Sequence, residues 1–327
     1  MPGPTVSVVV PCFNYGHLLQ ETLDSVRSQS LEDWECVVVD DGSTDDTGVI
    51  AQACAAKDQR FRYVRQENRG LSAARNAGLR NARSALVQLL DADDLLEPDK
   101  LDVHSRFLAR HAEYSLVYGA MRYFTDKGSV RTLSRAQRGS GRDWMRLWPD
   151  STQDMVIALI QGNIFPVSAA VFRRSVLDEV GQFDESLRSH EDWEFWLRCA
   201  FAGKRFHGLD APGTRTLIRE HGESLTRRSI TMAETRLEVR RRIEKLAPTE
   251  ALREMNREWT SYDECELGAA HMDAGHWRVG VRVFFPGFIR AERKKKAIHP
   301  LLVHLTPRWL LAVWRRLRWG APARESG

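Results

Sequence analysis

The chain has 327 residues, 43% of them hydrophobic and 28% charged, which excludes a disordered chain, a collagen-like repeat and a small disulfide scaffold and leaves room for one large domain or two smaller ones. Five cysteines, Cys12, Cys36, Cys54, Cys199 and Cys265, stand singly with no CxxC pair, so reduced cytosolic thiols and no structural metal are expected. A formal net charge of +4 hides a split, because between Arg278 and Arg324 twelve basic residues face the single acid Glu292, a net of +11 against −7 for the remainder.

MPGPTVSVVVP has no basic leader and runs straight into a strand pattern, so no signal peptide is expected and a cytoplasmic location follows. VSVVVP, WECVVVD, FRYVRQ and SALVQLLD alternate with helical patterns over residues 5–95, the signature of βαβ units and a mainly parallel sheet flanked by helices. Between the first two, Leu18, Leu19, Thr22, Leu23 and Val26 take the spacing of a crossover helix. The second strand ends in Asp40 and Asp41 before GSTDDT, where Ser43 or Thr44 can cap the next helix. The fourth ends in Asp91, Asp93 and Asp94. Open α/β sheets bind ligands outside the carboxyl ends of their strands, so these acids and residues 11–15 predict one crevice.

A helix over 98–110 and a strand over 114–124, turning at Asp126 to Gly128, continue the pattern. DMVIALIQ, SAAVFRR and EDWEFWLRCAFAG then mix helix and strand. After about residue 230 good helix formers such as MAETRLEVRRRIEKL take over, with Pro248 between two helices. The predicted organisation is therefore residues 1–229 as one domain, with halves 1–110 and 111–229, and a helical, basic region 230–327. The apolar stretch 299–314 is broken by Pro300, His304, Pro307 and Arg308 and falls short of the ~20 clean residues a membrane-spanning helix needs.

Asp91, Ala92, Asp93 and Asp94 put three carboxylates within one turn, costly to bury without a cation or donors. They either hold Mg²⁺ or Mn²⁺, whose shell a diphosphate and water complete, or cap the following helix. Asp40 either receives hydrogen bonds from a base or ribose or caps its own turn. Arg75, in ENRGLSAARNAG, either forks onto phosphates or is a surface arginine. Small residues in that segment permit close helix packing. Glu191 and Asp192, beside Trp193, Phe195 and Trp196, are either a general base with a raised pKa and its neighbour or a capping pair. His221 is a ligand or a histidine satisfied by its surroundings.

Taken in order, VSVVVPCFNYG, VVVDDGSTDDT, ENRGLSAARNAG, LLDADD and HEDWEFWLR resemble the family 2 glycosyltransferases of GT-A fold, over roughly residues 5–228. The resemblance implies a Rossmann-like nucleotide-binding sheet. It also implies inverting transfer of a sugar, hexosyl or N-acetylhexosaminyl, from a nucleoside diphosphate donor, UDP favoured, to a hydroxyl of a saccharide or lipid-linked acceptor in cell-surface glycan synthesis. Pro11, Asn14 and Tyr15 would line the nucleoside, Asp40 would hold the base, and Asn68, Arg69 and Arg75 would border base and phosphates. Asp91 with Ala92 would contact the ribose side, and Asp93, with Asp91 and His221, would bind Mn²⁺ or Mg²⁺. Asp192 would be the base and Glu191 its neighbour. Processive synthases of the family carry QxxRW, whereas this chain has Leu305-Thr-Pro-Arg-Trp309, so non-processive transfer is expected.

Residues 278–324 combine their charge with Phe284, Phe285, Phe288, Trp309, Trp314 and Trp319, and are either a segment lying on an anionic membrane surface or an ordinary solvated helical face. No nucleic-acid-binding pattern accompanies the charge. The competing readings are a nucleotidyltransferase acting on sugar phosphates, in which Asp192 has no job, and an inactive sugar-nucleotide or glycan-binding module.

Overall fold

The computed structural model describes residues 3–127, 130–134, 152–220 and 229–305. The chain divides into two compact units, Met1–Ser224 and Leu225–Gly327.

In the first unit, β1 (Val6–Cys12), α1 (Gly16–Arg27), β2 (Trp34–Asp40), α2 (Thr47–Lys57), β3 (Phe61–Arg65), α3 (Leu71–Asn81) and β4 (Leu86–Leu89) realise the expected βαβ series. β1 pairs in parallel with both β2 and β4, and β2 with β3. Successive residues of a strand point to opposite faces, and both faces of this sheet are covered, which is why β1 and β2 read as mainly apolar runs, interrupted by Ser7 and Glu35, which pair with each other. Cys36 and Val38 join Val8, Val10, Leu19, Leu23 and Val26 in one core layer, while Val37 and Val39 pack with Ala74 and Ala77 on the other side. Burial of each such aliphatic side chain contributes about 1.5–3 kcal/mol. The small residues of α3 have a steric reason, since a Cβ on Gly78 would lie 2.2 Å from Val9 Cγ1.

After the short β5 (Leu95–Leu96) and α4 (Lys100–Arg110), the strand expected over 114–124 is two strands, β6 (Leu116–Gly119) and β7 (Met121–Lys127), in different sheets. The chain changes sheet beside Gly119, where a Cβ would meet Thr214 O at 3.0 Å and the His104 ring at 3.1 Å. β8 (Val130–Ser134), α5 (Thr152–Gln161), a 3₁₀ turn (Val167–Ala169), β9 (Ala170–Arg173), α6 (Val176–Val180), α7 (Glu191–Phe201), β10 (Phe206–Leu209) and β11 (Thr216–Arg219) complete the unit. The main sheet runs β10-β6-β9-β4-β1-β2-β3, and a smaller one runs β5-β11-β7-β8. β9 is antiparallel to both β4 and β6, so the fold is α/β with a mixed, mainly parallel sheet. The order reverses between β4 and β1, the switch point at which such sheets bind ligands.

The second unit contains α8 (Ser229–Leu246), α9 (Glu250–Asp273), α10 (Trp277–Arg290) and α11 (Lys294–Leu305). Thr249 caps α9 by accepting Leu252 N–H. Phe284 is buried and Phe288 half-buried in this unit's own core with Tyr262, Cys265 and Met272, so of the three phenylalanines expected at a membrane surface only Phe285 points outward. Among the described residues no helix is long and apolar enough to cross a membrane. All five thiols are free and buried.

Candidate functional site

At the carboxyl end of the sheet, carboxylates and amides tie three loops together. Asn14, just past β1, has φ 56°, a left-handed conformation that asparagine tolerates better than most residues. Its Oδ1 accepts Thr44 N–H at 2.8 Å and its own N–H donates to Ser43 Oγ at 3.0 Å, while Gly16 N–H donates to Asp45 at 2.9 Å. The loops after β1 and β2 are thus fastened side by side. Asp41 performs the next fastening by accepting from Gln66 Nε2 at 2.7 Å, Arg69 N–H at 3.0 Å and Gly70 N–H at 2.8 Å. Gly70 itself has φ 90°, which only glycine adopts without strain.

Asp40 is 1% exposed, with Oδ1 accepting Ser43 N–H at 2.7 Å and Oδ2 accepting Tyr63 O–H at 2.7 Å. Of its two sequence readings, the turn cap is therefore realised in the structure. Pro11 and Ala92 are buried, Asn14, Tyr15, Asp91 and Asp93 half-buried, and Asn68 and Arg69 exposed. Arg69 reaches Glu185 at 2.7 Å.

Arg75 is not a surface arginine. It is 2% exposed, and its two terminal nitrogens are taken by Asp91, at 2.7 Å, and by Glu191. Burial opposes its charge, but Asp91, Glu191 and Asp192 outweigh that and raise its pKa. One guanidinium therefore links the acids after β4 to the start of α7, two segments a hundred residues apart in sequence.

The three acids after β4 have separate surroundings. Asp94 is 4% exposed, accepting Ser168 O–H at 3.1 Å and Arg219 N–H at 3.2 Å. Burial, then Asp93 and Asp91, push its pKa well up, and its hydrogen bond from Arg219 N–H ties the segment after β4 to the end of β11. Asp91 and Asp93 keep partial exposure. Among the described residues no group of three His, Cys, Asp or Glu side chains is arranged to hold a metal ion. His221 lies outside the described residues. A Mg²⁺ or Mn²⁺ that takes most of its shell from phosphate oxygens and water needs only one or two carboxylates, and the hard oxygens of Asp93 and Asp91 meet that requirement.

Asp192 follows His190, whose backbone is left-handed at φ 58°. Its Oδ1 accepts Trp193 N–H at 2.7 Å and its Oδ2 accepts Asn163 Nδ2–H at 2.9 Å. Burial, reinforced by Glu191 and opposed by Arg75 and Asn163, pushes its pKa up to about 7. That value suits a general base near neutrality. Trp193 Nε1 donates to Leu159 O at 2.6 Å, fixing α7 against α5 so that Asn163, two residues beyond α5, meets the carboxylate.

Asn163 is a residue of the candidate site that the sequence does not mark, and Asp41 is one that the sequence places at the crevice without a role of its own. Asn163 stands in QGNIF with no spacing to mark it. Asp41 is half of an Asp-Asp pair of which only Asp40 was given a ligand role.

Residues 7–181 match the profile of the family described as Glycosyl transferase family 2. The chain is 30% identical over 224 residues to the uncharacterized glycosyltransferase EpsJ of Bacillus subtilis, covering 68% of this chain and 63% of that one. It spans between 20% and 63% of the length of three curated relatives, EpsJ among them. The crystal structure of S. aureus TarS 1-349 in complex with UDP-GlcNAc superposes with a TM-score of 0.63 at 18% identity, covering 98% of this chain and 93% of that one. Mannosyltransferase PcManGT from Pyrobaculum calidifontis, in complex with GDP-Man and Mn²⁺, gives 0.56 at 18% identity, covering 96% and 84%.

Proposed function

The chain belongs to glycosyl transferase family 2, and from that premise we propose that it is an inverting, non-processive glycosyltransferase moving a sugar from a nucleoside diphosphate donor, UDP favoured, to a hydroxyl of a saccharide or lipid-linked acceptor in surface-glycan synthesis. The observation that carries this is the Arg75 bridge. It supports the reading by joining Asp91, after β4, to Glu191, the neighbour of a carboxylate whose pKa burial raises to about 7. UDP-GlcNAc in the TarS structure and GDP-Man with Mn²⁺ in the PcManGT structure support the donor class.

In this reading residues 1–110 bind the donor, residues 111–229 the acceptor, and residues 230–327 form the accessory region. Asn14, Tyr15 and Asn68 border the nucleoside, with Asp41 fixing the loop that carries Asn68 and Arg69. Asp192 takes the proton of the acceptor hydroxyl while its oxygen forms a bond to the anomeric carbon and the bond from that carbon to the diphosphate oxygen breaks, with inversion. Asn163 and Trp193 N–H aim the carboxylate, and Arg75 holds Glu191 beside it. Asp93 and Asp91 would hold Mn²⁺ or Mg²⁺, which when bound neutralises charge on the departing diphosphate. The acceptor is met at an anionic membrane surface on the cytoplasmic side, engaged through residues 278–324, of which 306–324 lie outside the described residues.

Thermal stabilisation by nucleoside diphosphates and their sugars, with and without Mn²⁺, tests the donor. A ligand at 100 times its dissociation constant adds about 2.7 kcal/mol. Metal-dependent stabilisation by one base, together with loss of transfer in a folded Asp192→Asn variant that still binds donor, is the expected result. Unchanged transfer by that variant refutes the base assignment, and stabilisation by no nucleotide refutes the donor.

A further inference from the structure

We propose that the outward face of α10, carrying Trp277, Arg278, Val281, Arg282, Phe285 and Ile289, is the surface that lies on an anionic lipid bilayer. This rests on the reading that the protein meets its acceptor at a membrane and names the face that does so. Trp277, Val281, Phe285 and Ile289 recur every fourth residue and are 54%, 52%, 59% and 62% exposed, an apolar strip along about 18 Å of helix at 1.5 Å per residue.

The strip is not needed by the unit's own core, because α10 packs inward through other residues. Its inner face is Gly280, Phe284 and Gly287, and α9 approaches so closely that a Cβ on Gly268 would lie 2.7 Å from Gly280 O. Large apolar side chains on the opposite face are therefore surplus to folding.

Charge selects the occupant. Residues 276–305 contain seven Lys and Arg against one acid, Glu292. On α8 and α9 the arginines are matched, Arg236 to Glu266 and Asp263, Arg240 to Asp263, and Arg257 to Glu244 and Glu250. Among the described residues Arg278 and Arg282 have no carboxylate partner, and both are exposed. Isologous pairing of two copies through this face would gather Arg278 and Arg282 of both copies into one patch whose own residues include no acid, a like-charge arrangement that costs affinity. Anionic headgroups accept the guanidiniums while Trp277, Val281, Phe285 and Ile289 enter the acyl boundary, the division of labour of an interfacial helix. At the end of α10, Lys294 Nζ donates to Phe288 O and Ile289 O at 2.6 and 2.7 Å, and Lys296 lies over the Trp259 ring. These two lysines cap and brace the helix and Arg290 pairs with Glu264, so among the described residues Arg278 and Arg282 are the arginines of α10 that face outward without a carboxylate.

The test is co-sedimentation of the full chain with phosphatidylcholine vesicles containing or lacking 30% phosphatidylglycerol, at low and high salt. Binding only to the anionic vesicles, weakened by salt, is expected. Arg278→Ala with Arg282→Ala should lower partitioning roughly thirtyfold, from about 1 kcal/mol per surface cation, and Phe285→Ser with Ile289→Ser should lower it at least tenfold. Both variants should keep the wild-type melting temperature and consume donor in solution at the wild-type rate. Wild-type binding that both variants retain overturns the α10 face and leaves membrane docking standing. A wild-type chain that ignores the anionic vesicles overturns both. Self-association abolished by Phe285→Ser with Ile289→Ser, without vesicle binding, replaces the bilayer with a second copy.

Discussion

Replacing Asn163 by alanine isolates how Asp192 is tuned. Asn163 Nδ2–H lies 2.9 Å from Asp192 Oδ2 and favours the charged carboxylate, partly offsetting the burial that pushes its pKa up to about 7. A hydrogen bond to a charged group is worth about 1.5–3 kcal/mol. At 1.36 kcal/mol per pKa unit, its loss raises the pKa by about one to two units. In its proposed role as base Asp192 must be deprotonated to act, so activity should rise with pH through this pKa, and the variant's acid limb should move from about 7 to about 8–9. At pH 7 the active fraction falls from about one half to between about one tenth and one hundredth, a loss of roughly five- to fiftyfold that recovers by pH 9.5. The assay is release of nucleoside diphosphate from the donor between pH 5.5 and 9.5. A rate loss of equal size at pH 6.5 and pH 9.5 would mean that Asn163 only shapes the pocket, and the tuning argument would fail.

Arg75→Met removes one partner from two acids, one of them the buried Glu191; breaking such a pair costs about 3–5 kcal/mol. Denaturant unfolding measures this, and a loss below 1 kcal/mol would show the bridge to be ornamental. Lys100 is fully buried, donates to Ala169 O at 2.9 Å and Thr214 O at 3.3 Å, and burial lowers its pKa from 10.5 to about 7. The folded state thus binds fewer protons than the unfolded chain, and the cost of burying the lysine grows as pH falls from 10.5 and is complete below 7, on the order of 5 kcal/mol. Lys100→Met loses both hydrogen bonds at every pH but carries no such cost, so the wild type's lead in melting temperature should be largest near pH 10 and shrink towards pH 7; a constant gap contradicts it. Gly78→Ala drives a methyl into Val9 and should cost about 1–3 kcal/mol by overpacking, read as an earlier denaturant midpoint with an unchanged slope.

The first 110 residues were legible because local and global signals agree there. Mainly apolar runs mean strands buried on both faces, and acids at their ends mark the crevice. Beyond that, single residues decided the structure. The sheet change at Gly119 depends on how closely His104 and Thr214 O approach, contacts that no periodicity within 114–124 encodes. Arg75 looked like a phosphate ligand or a surface charge because the partner that buries it, Glu191, is 116 residues away. Phe284, Phe285 and Phe288 are alike in composition, and only the inward direction set by Gly280 and Gly287 sorts them. The match at His221, and those at Trp309, Trp314 and Trp319, fall outside the described residues.

Among the described residues, the two non-glycine positions with positive φ are Asn14 and His190, one at the start of the nucleotide loop and one immediately before Glu191 and Asp192. Such a conformation costs of order 1–3 kcal/mol and persists only where its surroundings over-determine it. At Asn14 those surroundings are Thr44 and Ser43; at His190 they are the Ser189 hydroxyl at 3.3 Å and the Trp193 ring. Glycine in either place would remove the strain, but it would also remove the amide that fastens the first two loops or the ring seated against Trp193. The strain is thus tied to side chains that fasten the loop after β1 and the turn leading into α7. Under the proposed roles it falls at the two ends of the reaction, in the loop that Ser43 and Thr44 fasten and beside the segment that Arg75 ties, through Glu191, to the acids after β4.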